Sequence, residues 1–307
     1  MKQGLYLHVP FCEIKCAYCD FFSVTQTAAE AKEEYVRHLI EEIRVKGTGE
    51  PADTVFIGGG TPSTLEPGQI GRILAALGKA FRLAPDAELT MEANPETVNE
   101  GKLRGFRAAG MNRISFGVQS LDDGILKTLG RIHTADRARR AVEEARAAGF
   151  EEVNADLMFG LPGQSAERWR RDLAEVLTWP ITHVSCYELG IESDTAFGRK
   201  PPVLPDEPVV MSQWETVMAE TARAGFAHYE VANYARPGHE CRHNLKYWLD
   251  EDWFGFGAAA WGARAGVRTG NPRSLKKYYE SAAAGYPAAE SDVLPLSGRM
   301  AENHPFW

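Results

Sequence analysis

Three cysteines stand close together near the start of this 307-residue chain: Cys12, Cys16 and Cys19. A Cys-x3-Cys-x2-Cys loop can curl so that its thiolates converge on one face. Three thiolates suit a cluster of four irons, because one iron is left without a protein ligand and can bind a small molecule. The shorter unit Cys16-Ala-Tyr-Cys19 has plainer readings: a redox pair, or half of a zinc site. A four-cysteine zinc site wants a second Cys-x2-Cys, and the remaining cysteines, Cys186 and Cys241, are isolated.

Other residue groups carry chemistry of their own. Gly58-Gly59-Gly60-Thr61-Pro62 follows a short apolar run. Glycines there let the backbone approach a ligand, and exposed amides bind an anionic group. The plainer reading is a tight turn. No Gly-Lys-Ser/Thr follows, so this is not a phosphate loop. Glu92, Gln119, Arg131 and Asp156 fall on or just past strand-like runs. Singly, each reads as a satisfied buried group or a surface charge. Gathered at one site, a carboxylate can hold an ammonium or ribose hydroxyls, and an arginine can hold a carboxylate. His239, Cys241 and His243 alternate, and in an extended segment they would share a face. They could then hold zinc, iron or haem iron; zinc shared with Cys16 and Cys19 is one such option. The alternative is a solvated loop with one structural histidine. Tyr247 and Trp248 would pack beside a flat ligand or belong to the core.

Positioning these residues needs a scaffold, and alternating strand and helix patterns supply one. Leu5–Val9, Thr54–Ile57 and Glu88–Glu92 read as strands, as do 113–117, 153–157 and 183–188. Between them lie helices: Ala31–Val45, the stretch marked by Ile70, Ile73, Leu74, Leu77 and Phe81, then 98–109, 134–148 and 165–178. Ala109-Gly110-Met111, Ala148-Gly149-Phe150 and Ala224-Gly225-Phe226 each place glycine at a left-handed helix end. Six such units imply a parallel sheet, either a barrel or an open doubly wound one. In barrels the chemistry lies beyond the C-terminal strand ends, where the cysteines, glycines, Glu92, Gln119 and Asp156 all fall. Residues 191–210 read as a surface excursion, followed by a helix near 207–224 and a strand near 228–234.

Composition bounds the rest. Apolar residues make up 44% of the chain and the formal charge is −8. With no Lys/Arg run of five or more, a general nucleic-acid binder is not expected. Five cysteines make no disulfide framework and point to a reducing, cytoplasmic compartment. No run approaches the ~20 apolar residues of a membrane span, which leaves peripheral membrane attachment open. The N-terminus does not read as a signal peptide.

The cysteine loop with Tyr6-x-His8-x-Pro10-Phe11 before it, and Gly-Gly-Gly-Thr-Pro after it, resembles the radical S-adenosylmethionine (SAM) superfamily. Glu92-Ala-Asn-Pro95, Gly117-Val-Gln119-Ser120, Leu129-Gly-Arg131-Ile-His133 and Asp156-Leu-Met-Phe-Gly-Leu-Pro162 resemble its oxygen-independent coproporphyrinogen dehydrogenase-like branch. The resemblance runs from Leu5 to about Trp261. It implies an α/β fold: a partial (β/α)6 TIM-like barrel over 1–190, with a barrel-covering extension over 191–290. Cys12, Cys16 and Cys19 would hold a [4Fe–4S] cluster. Tyr6, Tyr18, Gly59, Gly60, Thr61, Glu92, Gln119, Arg131 and Asp156 would line the SAM site, where an electron from the cluster cleaves the sulfonium to a 5′-deoxyadenosyl radical. The dehydrogenases carry a fourth cysteine two positions after the third, where Phe21 stands here. His243-Asn-Leu-Lys-Tyr-Trp248 is similar to the His-Asn-x-x-Tyr-Trp signature of HemW-type haem chaperones. The resemblance therefore favours haem binding and delivery to haem proteins, some of them at the membrane, over coproporphyrinogen oxidation. His243 is the first candidate for haem contact and Cys241 the second. Such proteins continue into a small helical domain. Residues 291–307 read as its start, and Asn303–Trp307 does not resemble its continuation, so a truncated domain is expected.

Overall fold

Every residue of the first strand, β1 (Gln3–Val9), is buried. Strands covered on both faces belong to the interior of a parallel sheet. The structure, a computed structural model, describes residues 2–25 and 28–293. After β1 come α1 (Ala29–Lys46), β2 (Pro51–Gly59), α2 (Pro67–Ala80), β3 (Arg82–Ala93) and α3 (Glu100–Ala109). Then follow β4 (Arg113–Gln119), α4 (Asp123–Leu129), α5 (Ala135–Ala147), β5 (Glu152–Phe159), α6 (Ala166–Val176) and β6 (His183–Glu188). These six strands pair in sequence order, all parallel. The expected glycines sit at positive φ: Gly110 at 117°, Gly149 at 93° and Gly225 at 81°. Asn99, Asp122, Thr134 and Ser165 cap the helices that follow them with side-chain oxygens.

Strand residues alternate between two environments. Leu7, Val55, Ile57, Met91, Ile114, Phe116, Val153, Leu157 and Val184 pack in one hydrophobic core with helix residues such as Ile43, Ile73, Phe106, Val142 and Leu173. The opposite parity carries Tyr6, His8, Phe56, Thr90, Glu92, Ser115, Asn154, Asp156 and Ser185. A barrel interior is usually filled by branched aliphatic side chains. This one is lined by aromatic and polar ones.

The later segments extend both edges of the same sheet. They comprise α7 (Ala196–Arg199), α8 (Glu207–Arg223), β7 (Ala227–His228), β8 (Asn233–Ala235), α9 (Arg242–Trp248), β9 (Trp253–Phe256), β10 (Trp261–Arg264), β11 (Val267–Gly270), α10 (Leu275–Glu280) and β12 (Glu290–Val293). β8 lies antiparallel on β6 with β7 outside it, so the single strand expected near 228–234 is a tight hairpin. β9 runs parallel beside β1, and β10 to β12 continue that edge antiparallel. The two edges do not pair among the described residues, so the barrel is partial and open. No helix among those residues is long and apolar enough to cross a membrane. Residues 294–307, most of the expected start of a C-terminal domain, lie outside the described residues.

Candidate functional site

The cysteine loop leaves the C-terminal end of β1 and is pinned at both ends. The Cys12 amide donates to the Val24 carbonyl (3.0 Å), and the Val24 amide donates to that of Pro10 (2.7 Å). The Ala17 amide donates to Leu129 O (2.9 Å), seating the loop's middle on the end of α4. His8 braces it from below. Its Nε2–H donates to the Phe22 carbonyl (2.8 Å), so Nδ1 is the acceptor for the Tyr6 hydroxyl (3.1 Å). Burial lowers the His8 pKa to about 4, keeping that tautomer neutral. Cys12, Cys16 and Cys19 are free and half-buried. Burial pushes the Cys19 thiol up to about 11, with Cys16 and Cys12 adding to the rise. Cys16 is raised by burial, against the opposing charge of Arg131. The Thr61 hydroxyl reaches Cys12 Sγ at 3.5 Å.

Beside the loop, β2 ends in the glycine turn. The Gly59 amide donates to Glu92 Oε2 (3.0 Å) at φ +109°. A Cβ there would stand 2.5 Å from His8 Cε1, and one at Gly60 would stand 2.9 Å from the Phe11 carbonyl oxygen. Both positions require glycine for close approach. Gly59→Ala is expected to cost about 1–3 kcal/mol in strain and to loosen the cysteine loop through His8. Thermal melting and iron retention would check this; an unchanged melting temperature would refute it.

Arg131 crosses the mouth. Its Nη1 donates to Asn94 Oδ1 (2.8 Å), its Nη2 donates to the Tyr18 hydroxyl (2.8 Å), and its Nε is buried without a hydrogen-bond partner. A Cβ at Gly117 would meet Asn94 Oδ1, Gln119 Nε2 and Arg131 Nη2 at 3.1–3.2 Å, so these groups converge there. Gln119 is held at φ +66°, where β4 bulges against β5. Such a backbone is sparsely populated and is often found at sites of function. Burial, and then the charge of Asp156, push the Glu92 carboxyl up to about 8. Asp156 is also raised by burial, against donors from Ser185, Ser115 and Asn154. Tyr18, Gly59, Gly60, Thr61, Glu92, Gln119 and Arg131 thus gather at the C-terminal end of the barrel with the three cysteines, while Asp156 faces them from the middle of β5 and Tyr6, in the middle of β1, packs deeper, beside Trp253 and Tyr247. The donor set fits the cluster and cofactor that the fold implies: three free thiols, a glycine cradle with no room for a Cβ, and an arginine Nε still seeking an acceptor. Asn94, Ser115 and Asn154 also bear on this site and were not singled out in the sequence. Their inward strand parity is the signal that could have found them.

The other constellation sits elsewhere and is differently built. The segment 239–243 is not extended, because α9 begins at Arg242, so its three residues do not share a face. His239 Nδ1 donates to Glu152 Oε1 (2.7 Å). Cys241 Sγ meets Glu88 Oε1 (3.4 Å), and burial raises this thiol strongly. Glu88 also accepts from the Arg242 and His243 amides (3.0 Å each), which makes it the cap of α9. Glu152 opens β5, and Glu88 lies on β3 just before its pairing with β4 begins at Thr90, so both stand at the end of the sheet away from the cysteine loop. Zinc shared among Cys16, Cys19, His239 and Cys241 is therefore ruled out by placement. His243 is fully buried, with Nδ1 bonded to Thr54 Oγ1 (2.7 Å), Nε2 to the Tyr247 hydroxyl (2.9 Å) and its ring stacked on Phe56. Burial, then the Lys246 charge, lower its pKa to about 3. Neither ring nitrogen is open to an iron in this conformation. Lys246 ties α9 to the Lys2 carbonyl (3.1 Å), Glu251 (2.7 Å) and Asp53 (2.9 Å). The helix is the floor of the partial barrel.

Comparison with known proteins decides the lineage. Residues 6–176 match the radical SAM superfamily. Over 262 residues the chain is 42% identical to the haem chaperone HemW of Escherichia coli (strain K12), covering 84% of this chain and 69% of that protein. It is 37% identical over 311 residues to HemW of Bacillus subtilis (strain 168), covering 98% and 81%. The chain belongs to the radical SAM superfamily and, within it, to the HemW family. Mycobacterium tuberculosis (strain ATCC 25618 / H37Rv) HemW is 39% identical over 304 residues, covering 96% and 76%. Among solved structures, coproporphyrinogen III oxidase (HemN) of Escherichia coli superposes with a TM-score of 0.86 at 24% identity, covering 96% of this chain and 72% of that one. That likeness establishes the partial-barrel fold. Family membership implies a [4Fe–4S] cluster and SAM.

Proposed function

We propose that this chain binds haem and passes it to haem proteins, using a [4Fe–4S] cluster and SAM held at the barrel mouth. The observation that carries the reading is its identity to HemW haem chaperones across 84–98% of the chain. Phe21, 48% exposed, adds support, since it replaces the fourth cysteine of the dehydrogenases. Cys12, Cys16 and Cys19 would hold the cluster, which supplies an electron able to cleave the sulfonium of bound SAM. Arg131 would take the SAM carboxylate through its unpartnered Nε. Glu92 would accept from the amino group and Asp156 from the ribose hydroxyls. Tyr6, Tyr18, Gly59, Gly60, Thr61 and Gln119 would close the walls. The recipients would be haem proteins, met in the cytoplasm or at the membrane surface.

For haem contact, His243 remains the candidate, with Cys241 second, on one physical condition: α9 must leave its seat. Loss of a helix cap costs about 1–2 kcal/mol, enough to raise an unseated population about five- to thirtyfold. Glu88→Gln, which weakens the cap, is therefore expected to speed haem loading several-fold. His243→Ala is expected to abolish the spectral shift of bound haem. The test is anaerobic cluster reconstitution followed by haem titration, read by absorbance. An unchanged Soret band in His243→Ala removes that residue from the haem site. Conversion of coproporphyrinogen by the reduced protein would overturn the chaperone reading.

A further inference from the structure

Behind Asp156 the barrel interior holds an ordered chain of hydrogen bonds. Asn154 Nδ2 donates to Asp156 Oδ1 (2.6 Å), and the Ser115 hydroxyl donates to Asp156 Oδ2 (2.9 Å). The same Asn154 nitrogen lies 2.7 Å from the Ser115 hydroxyl. A carboxylate accepts only, so the Asn154 amide nitrogen must face it, and Oδ1 must face the other way. There Oδ1 meets His183 Nδ1 at 2.6 Å. His183 therefore carries its proton on Nδ1, and its Nε2 accepts from the Tyr229 hydroxyl (2.7 Å). The Tyr229 oxygen in turn accepts the Cys241 amide (3.3 Å), which fixes the far end to the start of α9. Burial, with the charge of Arg113, keeps the His183 imidazole neutral. Each donor in the chain points toward Asp156.

We infer that His183 is a positioning residue for the cofactor site: through Asn154 it sets the orientation of Asp156 and fixes which carboxylate lone pairs are left for the ligand. Ser115 and Asn154 occupy both oxygens, with Ser185 a third donor to the carboxylate, and the lone pairs left over are those available to the ligand. Asn154 keeps its nitrogen on Asp156 while its oxygen has a donor behind it, and His183 is the closer of two: the Ser185 hydroxyl reaches the same oxygen only at 3.3 Å and also lies 3.1 Å from the amide nitrogen, so it can serve either orientation. Removing the His183 donor frees the amide to flip, which would bring oxygen against oxygen. The inference rests on the reading of Asp156 as a SAM-binding residue.

The test is equilibrium SAM binding to the reconstituted full chain, with the melting temperature measured in parallel. His183→Leu removes the donor and is expected to weaken SAM about tenfold, as supporting residues of a binding site typically do. His183→Asn restores an N–H at the position of Nδ1 and is expected to recover most of the affinity. A role in packing alone would not distinguish the two. Equal losses in both variants, or none in either, would overturn the inference. Asp156→Asn is the control: undiminished SAM binding there would instead sink the assignment of Asp156 itself. Should His183→Leu not fold, Ser115→Ala removes one of the three donors to Asp156 while leaving the histidine in place. A severalfold weaker SAM affinity is then expected, and an unchanged one counts against the chain.

Discussion

Glu42→Ala is expected to destabilise the chain by about 3–5 kcal/mol, because it breaks a buried charge network from one side. Glu42 lies on α1 and is fully buried. Its Oε1 accepts from Lys46 Nζ (2.6 Å) and Asn271 Nδ2 (2.7 Å). Its Oε2 accepts from the Gly257 amide (2.7 Å) and the Tyr278 hydroxyl (2.7 Å). Four donors lose this acceptor together: Lys46 keeps Asn271 Oδ1 (3.1 Å) and Asn271 keeps the Gly257 carbonyl (2.8 Å), while the Gly257 amide and the buried Tyr278 hydroxyl are left without one. The consequence reaches the site. Tyr35, on the same helix, donates to the His8 carbonyl (2.6 Å) and accepts from the Ala258 amide (3.1 Å). Segment 257–278 thus ties β9, α1 and β1 together, and β1 delivers the cysteine loop. Chemical denaturation should show a lower midpoint at unchanged slope. Glu42→Gln, which keeps one acceptor, should lose less. A midpoint within error of the parent for Glu42→Ala would show that the network carries no net stability.

The six parallel strands and their helices were legible because each strand is a short apolar run and each helix shows the 3.6-residue repeat, closed by residues such as Gly110 and Gly149. The gathering of Glu92, Gln119 and Arg131, with Asp156 facing them, was legible because parallel strands bring their C-terminal ends to one rim. Two features were hidden for a shared reason. α9 is seven residues long, and its cap is Glu88, whose acceptor contacts span some 155 positions of sequence. Nothing local marks His243 as the inward face of a helix rather than part of an extended segment. β9, β10 and β11 are four residues each, with glycines, and become strands only because the edge of β1 is there to receive them. His183 escaped notice for a different reason. A lone histidine opening an apolar strand is indistinguishable from a satisfied core residue until its partner Asn154 is seen.

Glu92→Gln should make the chain more stable and bind SAM less well, and the gain in stability should depend on pH in a definite direction. Burial first, and the Asp156 charge second, raise the Glu92 carboxyl from 4.5 to about 8. Between those values the folded chain keeps a proton on Glu92 that the unfolded chain has released. Stability therefore falls as pH rises through that window and levels off above it. Below pH 4.5 the two states are protonated alike, and the group contributes nothing. Above pH 8 the full cost is present, roughly 4–5 kcal/mol from the size of the shift. Glutamine carries no charge, keeps a carbonyl oxygen for the Gly59 amide and avoids repulsion with Asp156. Its advantage over the parent should be small at pH 5, grow to pH 8 and then hold, a rise in melting temperature of about 5–10 °C at pH 8.5. SAM affinity should move the other way, falling at least tenfold at pH 8.5, where the parent's carboxylate is ionised, and less at pH 5.5, because the amide places an N–H donor where a charged acceptor served the amino group. Paired melting and binding curves at pH 5.5, 7 and 8.5 would check both halves. A pH-independent gain would mean that Glu92 does not carry the shifted proton; a gain without loss of SAM would mean that the carboxylate is strained for some other ligand. The two effects together would mark Glu92 as a group held at the cost of stability because the cofactor site needs its charge.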